Sequence, residues 1–335
     1  MSQILKYIYK GINYFVLHPK SWWRVILNEI SAVVRSAWVP CLPTFVSIEP
    51  TNICDMHCRI CETGLGILGR DKGSMPLDNF KAIMDKIHPH TNYLIFYFMG
   101  EPFLNREACQ MLSYAKEKNI FVSTCTNGHF IDAGALLKSE IDEINFQIGG
   151  VRQETHEVYR VGGNLDKTFD NLREIVRRKK ESNGKFKTRI ILGFIVMKHN
   201  EKEIDEIQKI GREIGVDEVQ IINPCVRTIE QAYEMLPVNR KYWVYDEPTL
   251  KQGRLIHKNR PRNKCWWLWH STVITWDGDV LPCCRDPQGE FVMGNIFEAD
   301  LREIWNNSKY LAFRKRILKQ QASVPMCQLC SGFGI

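Results

Sequence analysis

The chain has no long apolar run. None of its hydrophobic stretches approaches the roughly 18 residues that a membrane-spanning helix needs, which argues against a spanning segment. The N-terminus interleaves lysines with apolar residues and lacks the uninterrupted apolar core and small-residue cleavage site of a secretory signal. There is no low-complexity tract, and a hydrophobic share of 44% is ordinary for a globular protein. Charge of either sign is not in large excess. A net +7 over 335 residues does not by itself point to nucleic acid. Acids are missing locally, since Lys251, Arg254, Lys258, Arg260, Arg262 and Lys264 have none among them. That run has no base-stacking aromatic pattern, so it reads as a solvated connection and no nucleic-acid partner is expected.

Cysteine, by contrast, is abundant, with 12 in a chain that shows no secretory signature. The expected setting is a reducing cytoplasm, where cysteines at motif spacing indicate metal or catalysis rather than disulfides. The length suits one large domain plus a small one.

Residues 1–43 stand apart. Leu5, Ile8, Ile12, Phe15 and Val16 fall at helical spacing, as do Trp22, Ile26, Ile30 and Val33. Over residues 1–39, Lys6, Lys10, Lys20, Arg24 and Arg35 outnumber the single acid, Glu29. Two readings follow. These stretches lie on an anionic membrane as peripheral helices, or their apolar faces cap the bottom of the next domain.

Residues 44–222 alternate strand-like runs (44–49, 93–98, 120–124, 143–148, 188–196 and 218–222) with helical patterns. One helical face holds Phe80, Ile83, Met84 and Ile87, and a second holds Ala108, Met111, Leu112 and Ala115. A third joins Phe169, Leu172, Ile175 and Val176, and a fourth Ile204, Ile207, Ile210 and Ile214. Six alternating units imply an α/β fold with a parallel sheet and right-handed crossovers. The strands read as apolar on both faces. Six units fall short of a closed eight-strand barrel, so a partial (β/α)6 TIM-like barrel is expected, with ligand groups at the C-terminal strand ends. Residues 223–264 form a polar, basic connection. From 265 to 335 the pattern is a β-hairpin (271–276 and 280–284 around Asp277-Gly278), helices near 299–306 and 308–320, and a terminal Cys-x2-Cys.

Directly after the first strand comes Cys54-x3-Cys58-x2-Cys61. Three thiolates in one short loop are soft ligands suited to an iron–sulfur cluster. They leave the fourth iron of a [4Fe–4S] cluster open, as catalytic metal sites require. Spacing alone also admits packed cysteines, or zinc with His57.

This motif, at the end of the first strand of a six-unit βα chain, resembles the radical S-adenosylmethionine (SAM) superfamily. The resemblance implies that the open iron chelates the amino and carboxylate groups of SAM. One electron then cleaves SAM to methionine and a 5′-deoxyadenosyl radical that abstracts a substrate hydrogen. Met99-Gly100-Glu101-Pro102 resembles the family's G-G-E-P, so Glu101 would accept from the SAM ammonium. Thr126-Asn127-Gly128 resembles T-N-G. Ile60 takes the place, often aromatic, that leans on the adenine. Gln147, in Phe146-Gln147-Ile148-Gly149-Gly150, stands at the serine of S-x-D-G, with Gly149 in place of its aspartate. Arg160-Val161-Gly162-Gly163 resembles R-x-G-G, making Arg160 a candidate for the SAM carboxylate. Asn200 is a candidate ribose contact or a turn-forming residue.

Cys265, Cys283, Cys327 and Cys330 form a second constellation. Neighbouring strand residues face opposite ways, so of Cys283 and Cys284 only Cys283 is assigned to it. On spacing, structural zinc and [4Fe–4S] fit equally. The string Cys265…Gly278-x4-Cys283-Cys284…Gly294-Asn295-Ile296…Leu301-x2-Ile304-Trp305-Asn306…Cys327-x2-Cys330 resembles the C-terminal SPASM/twitch extension of radical SAM enzymes. Without the middle cysteines of the full form, it is similar to the one-cluster twitch type, as in the dehydrogenase of aminoglycoside biosynthesis. The resemblance implies two 4Fe–4S clusters, SAM, and an external electron donor such as flavodoxin or ferredoxin. A four-thiolate cluster has no open iron and is a plausible electron sink. The expected activity is therefore oxidation of a small metabolite. Alternatives are maturation of a ribosomal peptide, for which residues 1–43 are too short to form a leader-holding module, modification of a lipid-linked substrate, or a zinc-stabilised binding protein. Cys225, beyond the sixth strand, is a further residue that could face the site. No general base is identifiable.

Overall fold

The computed structural model describes residues 22–88, 90–260 and 262–331. Helix α1 (Trp22–Val33) precedes six strand–helix units. These run β1 (Phe45–Ile48), α2 (Leu77–Ile87), β2 (Tyr93–Ile95), α3 (Ala108–Glu117), β3 (Phe121–Thr126), α4 (Ala133–Lys138) and β4 (Glu143–Ile148). They continue through α5 (Gln153–Tyr159), α6 (Leu165–Glu181), β5 (Arg189–Ile195), α7 (Ile204–Ile214) and β6 (Glu218–Ile222). Next come α8 (Ile229–Met235), α9 (Glu247–Lys251) and α10 (Trp267–His270). The C-terminal part holds β7 (Ser271–Ile274), β8 (Asp279–Leu281), β9 (Gly294–Asn295), α11 (Leu301–Trp305), α12 (Ser308–Gln320) and α13 (Pro325–Gln328). Strand ends differ from the expected ones by a residue or two, except that β2 and β8 each stop three residues early.

The sheet order is β6-β5-β4-β3-β2-β1-β7-β8-β9, and β1 to β6 are parallel throughout. This is the partial barrel, with its helices on one face. Val46, Ile48, Leu94, Val122, Ile144, Phe146, Leu192 and Phe194 are buried against Phe80, Ile83, Met84, Ile87, Met111 and Leu172. The predicted helical faces are thus the packed ones. The C-terminal hairpin adds to the same sheet rather than forming a separate one, because β7 pairs parallel with β1 from Phe45↔Ser271 to Ile48↔Ile274.

Two expectations change. The strands are not apolar on both faces. The residues that alternate with the packed set include Ser47, Ser123, Asn145, Gln147 and Gln220, a polar inner wall. Asn145 Nδ2 of β4 donates to Gln220 Oε1 of β6 at 2.9 Å, passing over Gly193 of β5. A Cβ at Gly193 would lie 2.5 Å from both Asn145 Oδ1 and Gln147 Nε2, so only glycine leaves room for these amides. Nor are residues 223–264 merely a solvated connection. Val226, Ala232, Met235, Leu236, Tyr245 and Leu250 are buried with Met56, Cys58, Ile60, Tyr159 and Met197. Within 251–264 the charged side chains are largely exposed, as expected.

Helix α1 reverses the apolar-capping expectation. Its packed side is mainly polar, with Ala32 against the core. Asn28 accepts from Cys41 N and donates to Leu42 O, and Glu29 accepts from Trp266 Nε1 at 2.7 Å. Ile26, Ile30 and Val33 face outward. The first stretch, Leu5 to Val16, lies outside the described residues.

One buried ion pair ties the exits of three strands together. Glu49, fully buried just after β1, accepts from both guanidinium nitrogens of Arg70 at 2.7 and 2.8 Å. It also accepts from Met99 N, beyond β2, and Trp276 N, beyond β7, each at 3.3 Å. Removing one partner strands a buried charge. Glu49→Ala should therefore destabilise the chain by about 3–5 kcal/mol in urea unfolding. A Glu49→Ala/Arg70→Met double variant, which leaves no lone charge, should recover part of that loss.

Candidate functional site

The first cysteine loop is anchored at both ends. Thr51 Oγ1 donates to Gly73 O at 2.7 Å and Asn52 Nδ2 to Asp71 O at 2.7 Å. Further along, His57 N bonds Val161 O and Arg59 N bonds Tyr159 O. Gly100 lies under this loop with φ +77°, where a Cβ would come within 2.7 Å of Thr51 O and Ile53 O. Only glycine allows that approach, and it places Glu101 N on Ile53 O at 2.8 Å.

Cys58 is buried, and Cys54 and Cys61 are half-buried. Burial pushes the Cys54 thiol up to about 12, with Glu101, Cys58 and Asp55 adding to it. Burial raises Cys58 too, against the opposing pull of Arg160. Such thiols charge only beside a cation or metal. Among the described residues no three His, Cys, Asp or Glu side chains are close enough to hold a single metal ion.

Glu101 is buried and accepts from Asn127 N at 2.7 Å, Thr126 Oγ1 at 2.8 Å and Phe103 N at 3.2 Å. Burial nonetheless pushes its carboxyl up to about 7. Arg160 follows α5 and is buried, its guanidinium 5.5 Å from the Tyr159 ring. Its Nε has no partner, and among the described residues no salt bridge joins it to a carboxylate. Ile60 packs with Met56, Tyr159 and Met197. Gln147 is half-buried at the end of β4, beside the space left by Gly193.

Of the two roles expected for Asn200, ribose contact or turn, its hydrogen bonds are those of the turn. It is fully buried, its Nδ2 donates to Gly149 O and Ile195 O, and its Oδ1 accepts from Met197 N. With both donors spent on backbone, it ties the turn after β5 to the end of β4. Asn127 is also internally engaged, donating to Asp55 Oδ1 at 2.7 Å and accepting from His129 N.

Asp55 and His129 went unnoticed in the sequence. Asp55 Oδ2 meets His129 Nδ1 at 2.7 Å. Asn164 N lies 2.9 Å and Asn164 O 3.2 Å from His129 Nε2, so both ring nitrogens are engaged. Burial opposes the Asp55 charge, but hydrogen bonds from His129 and Asn127 outweigh it and lower its pKa. The dyad pins the cysteine loop to the exit of β3. Only the position of His129, next to Thr126-Asn127-Gly128, signals it in sequence.

The second set assembles from three segments. Cys265 precedes α10, Cys283 follows β8, and Cys327 and Cys330 lie in and after α13. Burial raises Cys265, and charge on Cys330 and Cys327 raises it further. Burial pushes Cys327 up to about 12, and Cys330 adds to it. Cys283 is raised by its hydrogen bond to Cys284 and by burial. Cys283 and Cys284 thus both border the set, with Cys284 the more buried.

A side-chain chain joins the two sets. Glu62, beside Cys61, accepts from Arg227 Nε at 2.8 Å. Arg227 Nη1 approaches Cys225 Sγ at 3.8 Å, Tyr245 Oη lies 3.6 Å from that sulfur, and Arg285 Nη1 donates to it at 2.6 Å. Arg285 directly follows Cys284. Burial alone would raise the Cys225 thiol, but Arg285 and then Arg227 outweigh it and hold it below the usual thiol range.

Residues 48–217 match the radical SAM superfamily model, and residues 265–331 match the SPASM iron–sulfur cluster-binding domain. The chain is 23% identical over 315 residues to the tungsten-containing aldehyde ferredoxin oxidoreductase cofactor-modifying protein of Pyrococcus furiosus, covering 86% of this chain and 87% of that one. Among solved structures it resembles BtrN in complex with AdoMet and 2-DOIA (TM-score 0.54, 17% identity, 86% of this chain and 93% of that one). It also resembles Streptococcus suis SuiB bound to precursor peptide SuiA (TM-score 0.61, 16% identity, 88% and 72%). At these identities the likeness establishes the fold.

The depressed Cys225 thiol should show in reactivity. In metal-free chain at pH 7, iodoacetamide should modify Cys225 ahead of Cys109 and Cys54, whose thiols burial pushes up to about 11 and about 12. Arg285→Gln should abolish that lead, as read by mass spectrometry.

Proposed function

Since the chain belongs to the radical SAM superfamily and carries a C-terminal SPASM domain, we propose that it catalyses a net two-electron oxidation of a small polar metabolite, using SAM and two [4Fe–4S] clusters. Membership itself implies SAM and iron–sulfur clusters, an auxiliary one among them. In this reading Cys54, Cys58 and Cys61 hold the SAM cluster, and Cys265, Cys283, Cys327 and Cys330 hold the auxiliary one. Together SAM and its cluster supply a hydrogen-abstracting 5′-deoxyadenosyl radical. Glu101 accepts from the SAM ammonium and Arg160 meets its carboxylate. Ile60 leans on the adenine, and Gln147 bonds ribose or carboxylate. Gly100 and Asn127 hold the loops these groups stand on. Asn200 is not among the contacts. The first reduction comes from an external donor such as flavodoxin or ferredoxin, in a cytoplasmic setting.

The observation that carries the oxidation reading is the Glu62–Arg227–Cys225–Arg285 chain between the two cysteine sets. Oxidising an alcohol carbon after hydrogen abstraction requires an acceptor for one proton and one for one electron. Cys225 Sγ, held towards thiolate, can take the proton beside the four-thiol set. The polar inner wall of Asn145, Gln147 and Gln220 favours a polar substrate. Modification of a peptide is the second reading, favoured by the likeness to SuiB, which was solved with a precursor peptide.

Anaerobic reconstitution tests this directly. The wild-type chain should bind about eight iron atoms, and Cys327→Ala/Cys330→Ala about four, while both release 5′-deoxyadenosine from SAM and dithionite. Cys54→Ala/Cys58→Ala/Cys61→Ala should release none. Product from that triple variant would overturn the radical SAM site, and tight stoichiometric zinc in place of half the iron would overturn the second cluster.

Glu101 adds a pH signature. Its carboxyl, pushed up to about 7, must lose its proton to face a cation. SAM affinity should therefore be full above pH 7 and fall below it, approaching about tenfold per unit. Titration calorimetry on reconstituted Glu101→Gln should show weaker binding and a flat profile.

A further inference from the structure

Two acid-free stretches meet beside the second cysteine set. Neither residues 248–276 nor residues 304–335 contain an aspartate or a glutamate. Hydrogen bonds hold them together. Gln321 N donates to Asn263 Oδ1 and Gln321 Nε2 to Lys264 O, each at 3.0 Å, and His257 N donates to Gln328 O at 2.9 Å. The guanidinium of Arg35 bridges the same two segments, donating to Asn263 O at 3.2 Å and to Leu318 O.

The result is a surface of one sign. Arg262, Lys264, Arg316 and Lys319 are exposed and Arg260 is half-buried. Arg316 donates only to Ser323, to Oγ at 3.0 Å and to O at 2.7 Å. Among the described residues none of the five forms a salt bridge. A single basic run is usually just a solvated face. Here the cations come from a loop and from α12, and they gather around Cys327 and Cys330, both half-buried. Burial and Cys330 push the Cys327 thiol up, and Arg316 and Arg260 pull against them, so both guanidiniums lie within Coulombic reach of its sulfur.

The surroundings narrow the partner. Single-stranded nucleic acid seeks aromatic platforms, and a bilayer seeks an apolar rim. Among the described residues of 251–264 and 308–331 no large apolar or aromatic side chain is exposed. An acidic protein is matched by charge alone, and one that carries electrons has a reason to sit over these thiols.

We infer that this face docks an acidic one-electron carrier protein over Cys327 and Cys330. The inference rests on the reading that Cys265, Cys283, Cys327 and Cys330 hold a [4Fe–4S] cluster, and deepens it by placing the exit of the second electron. In that reading each substrate oxidation leaves one electron on the second set, and it must depart before the next turnover. The oxidised carrier gains that electron and the set loses it, with no bond made or broken and no proton moved. Opposite charge speeds the encounter and is screened by salt.

The test uses the reconstituted full-length chain and an oxidised plant-type [2Fe–2S] ferredoxin as the acidic probe. Thermophoresis should show binding that weakens as salt rises. A carbodiimide, which joins amines to carboxylates, should cross-link the ferredoxin to Lys264 and Lys319. Arg262→Glu/Lys319→Glu should weaken binding by about tenfold or more and keep the iron content. Lys187→Glu/Lys202→Glu, the same charge change at exposed positions elsewhere, should leave the affinity in place. With about eight iron atoms bound, absence of ferredoxin binding, or binding that ignores the first reversal, overturns the docking alone. Equal affinity for phosphatidylglycerol vesicles or for single-stranded RNA also overturns it, since the patch would then attract any polyanion. Zinc in place of half the iron overturns the cluster reading, and this inference with it.

Discussion

The arrangement depends on a carboxylate with no exposed surface. Glu49 stands at the exit of β1 and receives two bonds from Arg70 and one each from Met99 N and Trp276 N. The donors come from the segment after the first cysteine loop, the exit of β2 and the exit of the C-terminal hairpin's first strand. A buried charge held by four donors is costly to disturb, because each lost bond leaves part of its desolvation uncompensated. The position of the cysteine loop relative to the C-terminal part is thus set by electrostatics in a low-dielectric interior. The β1–β7 ladder supplies the direction and Glu49 the registration.

The same low dielectric sets the chemistry. Thiols buried in both cysteine sets are driven away from charge, and each set worsens the penalty for its own members. Cations opposing this are placed sparingly. Arg160 borders Cys58, and Arg285 and Arg227 converge on Cys225. Without a cluster the sites favour neutral thiols, and binding one converts that electrostatic cost into affinity. Arg160 is buried with an unpartnered Nε.

Much of this was legible in sequence where the determinant is local. Strand–helix alternation, the Phe80–Ile87 face and the cysteine spacings reappear in the structure because short-range periodicity dictates them. What was not legible is non-local. The addition of β7 to β1 joins residues more than two hundred positions apart, and no period reports it. The contact between Arg285 and Cys225 depends on how far the sheet curls. The amides of β4 sit at period two, Asn145 and Gln147, yet the flanking isoleucines and phenylalanine make the strand read as apolar throughout. Asn200 was legible as either ligand or turn, and only its partners decide. In α1 the periodicity marked an apolar stripe correctly. A period says that a helix has two faces, not which one the protein covers.

That ambiguity points to a shared logic in the two places where burial runs opposite to habit. The barrel turns amides inward, where Asn145 Oδ1 is buried without a partner, and α1 turns isoleucine and tryptophan outward. Each carries a cost the isolated chain does not recover: unsatisfied polar surface inside, wetted apolar surface outside. Costs of this kind persist when something outside the chain removes them, and each names its remover by its chemistry. On the inner wall that cost sits at Asn145, and on α1 it sits along the exposed stripe.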